Sequence, residues 1–150
     1  MSSPNSFSIT FNDVKIGKTE HIERYITEFD VALFSALSWD HNPLHVNPGF
    51  AKQSYFRDRI VHGAFIVSQI SSLIANKLPG PGSILLKLDL KFRAPLRIGD
   101  TLTVFGKVID KNSSNRRITI EVKCLNQNQR TLVEGNAVVM LISDLESKAK

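Results

Sequence analysis

The chain has one cysteine, Cys124, among its 150 residues. A single thiol cannot close an intrachain disulfide or build a thiolate metal cluster. A disulfide-stapled secreted fold is therefore excluded, and a reducing cytoplasm is the expected compartment. No apolar run approaches the roughly 20 residues that cross a bilayer as a helix, so no membrane partner is expected. The opening Met1-Ser2-Ser3-Pro4-Asn5-Ser6 has neither a basic region nor an apolar one, and it reads as no signal peptide. Repeats and low-complexity linkers are missing. So is any basic stripe interleaved with aromatic residues, and nucleic acid is not expected as a partner despite a net charge of +5. That charge leaves either a solvated basic surface or an anionic substrate.

What is present fits one domain over 1–150, with a core at about 15–142 and frayed ends at 1–6 and 146–150. Thr19–Thr27 reads as a first strand, and Thr27 as the N-cap of a short helix over Phe29–Leu37. A turn at Asp40–Pro48 follows, stiffened by Asn42-Pro43. Pro48 then opens a short helix carrying Phe50, Ala51 and Tyr55. In His62–Leu78, Phe65, Ile66, Ile70, Leu73, Ile74 and Leu78 recur at helical spacing, with small residues on much of the remaining surface. Such a helix is expected to be buried, and Pro79-Gly80-Pro81-Gly82 ends it.

The second half alternates with period two. Leu86, Leu88, Leu90 and Phe92 fall on one face of a strand over Ile84–Arg93, opposite Lys87, Asp89, Lys91 and Arg93. Strands at Leu102–Asp110, Arg117–Leu125 and Thr131–Ile142 follow, and the intervening turns predict antiparallel pairing of consecutive strands. One buried helix before a run of such strands predicts an α+β domain in which a curved sheet wraps the helix, the hotdog arrangement. Its open edges predict a homodimer.

Chemistry concentrates in Asp40-His41-Asn42-Pro43-Leu44-His45 and Val61-His62-Gly63. A carboxylate and an imidazole five residues apart suit proton transfer, although Asp40 could equally be turn chemistry and His45 a structural histidine. Gly63 could serve close packing, or offer its N–H at a helix start to a carbonyl oxygen acquiring negative charge. His62 reads as a structural neighbour. His41 and His45, four apart, would face one metal only on a helix, which Pro43 between them disfavours; no metal and no cofactor are expected. Ser71 could bond back to a helix carbonyl or touch a substrate pocket. Lys87, Lys91, Arg93 and Arg97 form either a solvated sheet face or a dock for an anionic carrier.

These residues resemble the MaoC-like family of (R)-specific enoyl-CoA hydratases and (3R)-hydroxyacyl-thioester dehydratases. Asp40-His41-Asn42-Pro43-Leu44-His45 with Ala51 downstream, Val61-His62-Gly63, and Pro95-Leu96-Arg97-Ile98-Gly99-Asp100 carry the likeness, which spans about 15–142. The resemblance implies a hotdog dimer and Asp40 and His45 as the catalytic pair. It further implies Gly63 as the oxyanion donor, Ser71 lining the site, and Asn42 orienting the turn or the pair. It implies a hydro-lyase of fatty acid metabolism acting on thioesters of CoA or acyl carrier protein. Trp39 stands where the family usually has glycine, so an altered backbone or a narrowed acyl pocket is expected there. Two other functions share such a scaffold: an acyl-thioester hydrolase and a non-catalytic acyl-binding subunit. Val61–Leu78 contains no Asp or Glu, which argues against a hydrolase with its carboxylate on the central helix.

Overall fold

The computed structural model describes residues 9–146; the expected frayed ends at 1–6 and 146–150 lie outside them except for Glu146, which ends a short helix at Ile142–Glu146. A single 3₁₀ turn at Phe11–Asp13 leads into strand β1, Thr19–Tyr25. Helix α1, Glu28–Ser38, starts where its cap residues place it. Thr27 accepts the Asp30 N–H, and the Asp30 carboxylate takes the Thr27 N–H at 2.8 Å and its hydroxyl at 2.7 Å. This reciprocal box satisfies donors that the first helical turn leaves free. Arg24 completes it with an ion pair to Asp30.

Helix α4, Gly63–Asn76, buries Phe65, Ile66, Ile70, Leu73 and Ile74 against β1, β2 (Ser83–Phe92) and β3 (Thr101–Asn112). It approaches β3 closely at Gly106, where a methyl group would come within 3.0 Å of Leu73 and Leu78. The antiparallel sheet is completed by β4, Arg117–Leu125, and β5, Thr131–Leu141, in the order β1-β3-β4-β5-β2. The expected alternation is clearest in β4, where Ile118, Ile120, Val122 and Cys124 are all buried. The α+β expectation is met, and the sheet and its central helix have the hotdog form.

Two details of the strand reading need correction. First, β2 pairs with β5 and not with β3. The link between β2 and β3 is no hairpin, because it is tied elsewhere: Leu96 is buried, its carbonyl accepts the Val61 N–H at 2.8 Å, and Arg97 bridges Ile60. Second, β2 does not keep one apolar face from Leu86 to Phe92. The register slips between Leu85 and Lys87, leaving Leu86 as an unpaired, exposed bulge. An extra residue switches the faces on one side of it. Leu85, Leu88 and Leu90 therefore pack on the core, while Phe92 is exposed.

Candidate active site

The segment from α1 to α4 is built from caps rather than periodicity. Trp39 ends α1 in the left-handed conformation, φ 61°, a place usually taken by glycine. Its indole is 84% exposed and is no wall of the cleft described below, so no narrowing of the pocket results. Instead, the backbone that glycine would adopt is retained at a steric cost. The chain turns at once, and the Asp40 side chain accepts the Asn42 N–H at 3.1 Å. Asn42 in turn accepts the Leu44 N–H and caps α2, Pro43–Val46, a single turn with proline at its first position. Proline lacks only an N–H that would go unbonded there, so Pro43 opens a helix where interruption was expected. Asn47 ends α2 and caps α3, Pro48–Gln53, in the same way.

These caps carry His45 into the interior, where it is 8% exposed. Its Nδ1 lies 2.7 Å from the Ile60 carbonyl. A carbonyl only accepts, so Nδ1 carries the proton and neutral His45 keeps a bare Nε2. His62 lies beside it, 1% exposed, with the two rings 3.9 Å apart at 32°. The His62 Nε2–H donates to the Asp40 carbonyl at 3.0 Å, and the Ser35 hydroxyl lies 2.8 Å from that same oxygen. Burial pushes the His62 imidazole below its ordinary value of 6.5, against the opposing Asp40 bond and with help from His45.

His41 falls before the Asn42 cap and turns to the Ser35 hydroxyl at 3.0 Å, away from any shared helix face with His45. The one group of three metal-ligand types among the described residues is Asp40, His45 and His62, with ligand atoms within 4.8 Å of one another. One nitrogen of each ring is held by a carbonyl. The same closeness suits proton traffic between a carboxylate and an imidazole.

An apolar cleft of about 370 Å³ opens beside the pair. Its walls include His45, Gly63, Ile66, Phe92, Tyr55 and Arg130, with Arg93 and Pro95. Gly63 is the first residue of α4, so its N–H has no acceptor within the helix. A side chain there would meet the Phe92 ring at 3.0 Å. Asp40 is exposed, reaches the imidazoles, and is not itself a wall.

The remaining candidates are scattered. Ser71 is half-buried, eight residues beyond Gly63 and hence about 12 Å along α4, and it does not line the cleft. Arg93 lines the cleft but is paired with Glu134 at 2.8 Å. Arg97 donates to the Phe56 carbonyl at 2.9 Å, which braces the loop before α4. Lys91 lines a larger hollow of about 510 Å³ on the charged face of β2, β4 and β5, where Asp89, Glu121 and Glu134 offset Lys91, Arg93 and Lys123. The cationic side chain at the cleft that lacks a carboxylate partner among the described residues is Arg130, which sequence reasoning missed. Ser35 was missed as well; a serine inside an amphipathic helix carries no signal of its partner six residues on.

Residues 13–129 match the family described as MaoC like domain. The chain is 37% identical to an (R)-specific enoyl-CoA hydratase of Rhodospirillum rubrum, over 94% of this chain and 97% of that protein. It is 34% identical to a 3-hydroxybutyryl-CoA dehydratase of Methylorubrum extorquens, over 86% of this chain and 82% of the relative. Among solved structures it is similar to an (R)-hydratase from A. caviae involved in PHA biosynthesis. That likeness has a TM-score of 0.82 and 35% identity, and covers 85% of this chain and 97% of the other.

Proposed function

The chain belongs to the MaoC-like domain family, and from that premise we propose that it is a hydro-lyase adding water across trans-2-enoyl thioesters. The product is a (3R)-hydroxyacyl thioester, and the reverse dehydration uses the same groups. The observation that carries this is a His45 imidazole whose Nδ1 is taken by the Ile60 carbonyl, grouped with the Asp40 carboxylate within 4.8 Å and lining one cleft with Gly63, the first residue of α4. In the hydration direction the thioester carbonyl accepts the Gly63 N–H. The start of α4 then favours the negative charge that builds on oxygen as C3 becomes electrophilic. Asp40 and His45 hold one water between them, deprotonate it for attack at C3, and return a proton to C2. Which group moves which proton is not divided between them here; the pair does both. Asn42 acts on the pair by fixing the turn between Asp40 and His45. Ser71, which the family resemblance puts at the site, has no part in this reading, since it does not line the cleft.

The substrate carries a phosphate-bearing handle, of CoA or of acyl carrier protein, and Arg130 with Arg93 stands where it would dock. Lys91 and Arg97 are supporting positions at most, given their surroundings. Two copies would pair through the free edge of β2, where Leu86 and Phe92 are exposed, and through the stripe Phe29, Leu33 and Leu37 on α1. A reducing cytoplasm suits the lone Cys124, which is buried with its thiol pushed up to about 12.

The test is incubation with crotonyl-CoA, following loss of the enoyl absorbance, free thiol and product stereochemistry. Formation of (3R)-hydroxybutyryl-CoA without thiol is expected. Thiol release without hydration would establish a hydrolase instead. Tight binding of acyl thioesters of every length without turnover would establish a passive acyl-binding subunit.

A further inference from the structure

We propose that His62 is the positioning residue of the site, holding Asp40 through its Nε2–H, His45 through its ring face, and the substrate carbonyl donor through its own peptide link to Gly63. This rests on the hydratase reading and deepens it. Residue 62 is the N-cap of α4, yet its side chain makes no capping bond. Residues favoured at that place fold back and occupy the first N–H groups. The His62 side chain turns the other way, to the Asp40 carbonyl at 3.0 Å, and the helix start is left open to the cleft. One residue thus sets three distances that the reaction needs together.

The ring is clamped as well as hydrogen-bonded. His45 stacks on it at 3.9 Å, and Phe34 packs at 5.2 Å with a 58° tilt. The carbonyl it serves also receives the Ser35 hydroxyl, so Asp40 is anchored from both α1 and α4. The other nitrogen, Nδ1, is fully buried without a hydrogen-bond partner among the described residues. A proton there would be a buried, unpaired donor on a cation. The titratable groups facing the ring are Asp40 and His41, from the loop between α1 and α2, and His45, from α2; α1 itself presents Phe34. Whichever member of the pair carries the proton of water, the ring beside His45 is therefore a neutral π face and not a second cation.

The experiment compares wild type, His62→Gln and His62→Leu on crotonyl-CoA. Glutamine keeps a donor near the place of Nε2; leucine keeps bulk alone. His62→Leu is expected to lower kcat about 100-fold with KM within about threefold, the scale of a misplaced catalytic group, and His62→Gln to recover to within about tenfold. A wild type inactive on enoyl thioesters would overturn the hydratase reading. An active wild type with His62→Leu unimpaired, or with His62→Gln no better than His62→Leu, would overturn the role of His62 alone. Nitrogen-resolved NMR of the wild-type imidazoles decides the matter even if a variant does not fold. A protonated Nε2 and bare Nδ1 on His62 are expected throughout; a protonated Nδ1 at neutral pH would sink the proposal.

Discussion

The segment from Trp39 to Gly63 and the strands from Thr101 to Leu141 are held together by different means. In the strands each residue repeats the lesson of the one two before it, and Ile118, Ile120, Val122 and Cys124 are buried by one rule. In the segment no rule repeats. Asp40 is set by Ser35, Asn42 and His62, His45 by Ile60, and the short helices by two Asn-Pro caps. The strands tolerate the loss of one contact because their neighbours supply the same register. The segment spends its bonds singly, accepts a left-handed tryptophan, and buries a nitrogen without a partner. Order that comes from repetition gives stability. Order that comes from single bonds places reactive atoms, and the buried unpartnered nitrogen of His62 lies there.

The comparison breaks most sharply at the pair itself. Asp40→Asn or His45→Ala is expected to cost on the order of 10²–10⁴ in turnover with little change in urea midpoint, as general acid–base groups do. Folded variants with near-full turnover would remove the pair from the mechanism. In the strands the opposite split is expected. A methyl group on Gly135 would fall 2.0 Å from the Asp89 carbonyl, so Gly135→Ala must push β2 off β5. A loss of about 3 kcal/mol is expected, read by chemical denaturation, with the activity of the remaining folded fraction unchanged.

Acid should find the segment before the strands. The His62 imidazole lies below 6.5 when folded, so between the folded and unfolded values the unfolded chain binds a proton that the native protein refuses. Stability is thus full above about pH 6.5 and falls as pH drops through that window. Urea midpoints at about pH 7.5 and pH 5.5 should differ in wild type and converge in His62→Gln. Asp30 contributes in the same direction but lower. Burial works to raise its carboxyl, yet the Thr27 hydroxyl and N–H with Arg24 hold it below 3.8, so its share is lost only as pH falls beneath the ordinary carboxylate range. The smallest effect is a gain: Trp39→Gly should raise stability by about 1 kcal/mol by relieving the left-handed backbone, measured as a higher thermal midpoint.

Much of this was legible in the chain. Alternation marked β4, and turns on either side marked β3 and β5; helical spacing marked α4; Thr27 announced α1. The spacing of Asp40 and His45, with Gly63 ahead of an apolar run, marked the candidate site. Position by position, the rest depended on partners far along the chain. Nothing within a few residues of Leu86 shows that β2 meets β5 with one residue bulged out. Arg97 is drawn away by a carbonyl 41 residues earlier, and Lys91 by the side of the sheet it falls on. Arg130 reaches the cleft only because β5 lies beside β2. For His62 a faint signal existed: histidine where serine or aspartate would cap a helix, with glycine next.

Caps, turns and periodic burial act over one to four residues, so the sequence by itself determined the elements, their buried faces and the residue types that carry chemistry. The tertiary structure alone decided which strand β2 joins, which nitrogen of His45 is bare, and that His62 packs against both Phe34 and His45. Those outcomes rest on bonds across 15 and 22 residues, from His45 to Ile60 and from His62 to Asp40. Such bonds form only after the core has brought distant segments together, and a tautomer is set by the acceptor it then meets.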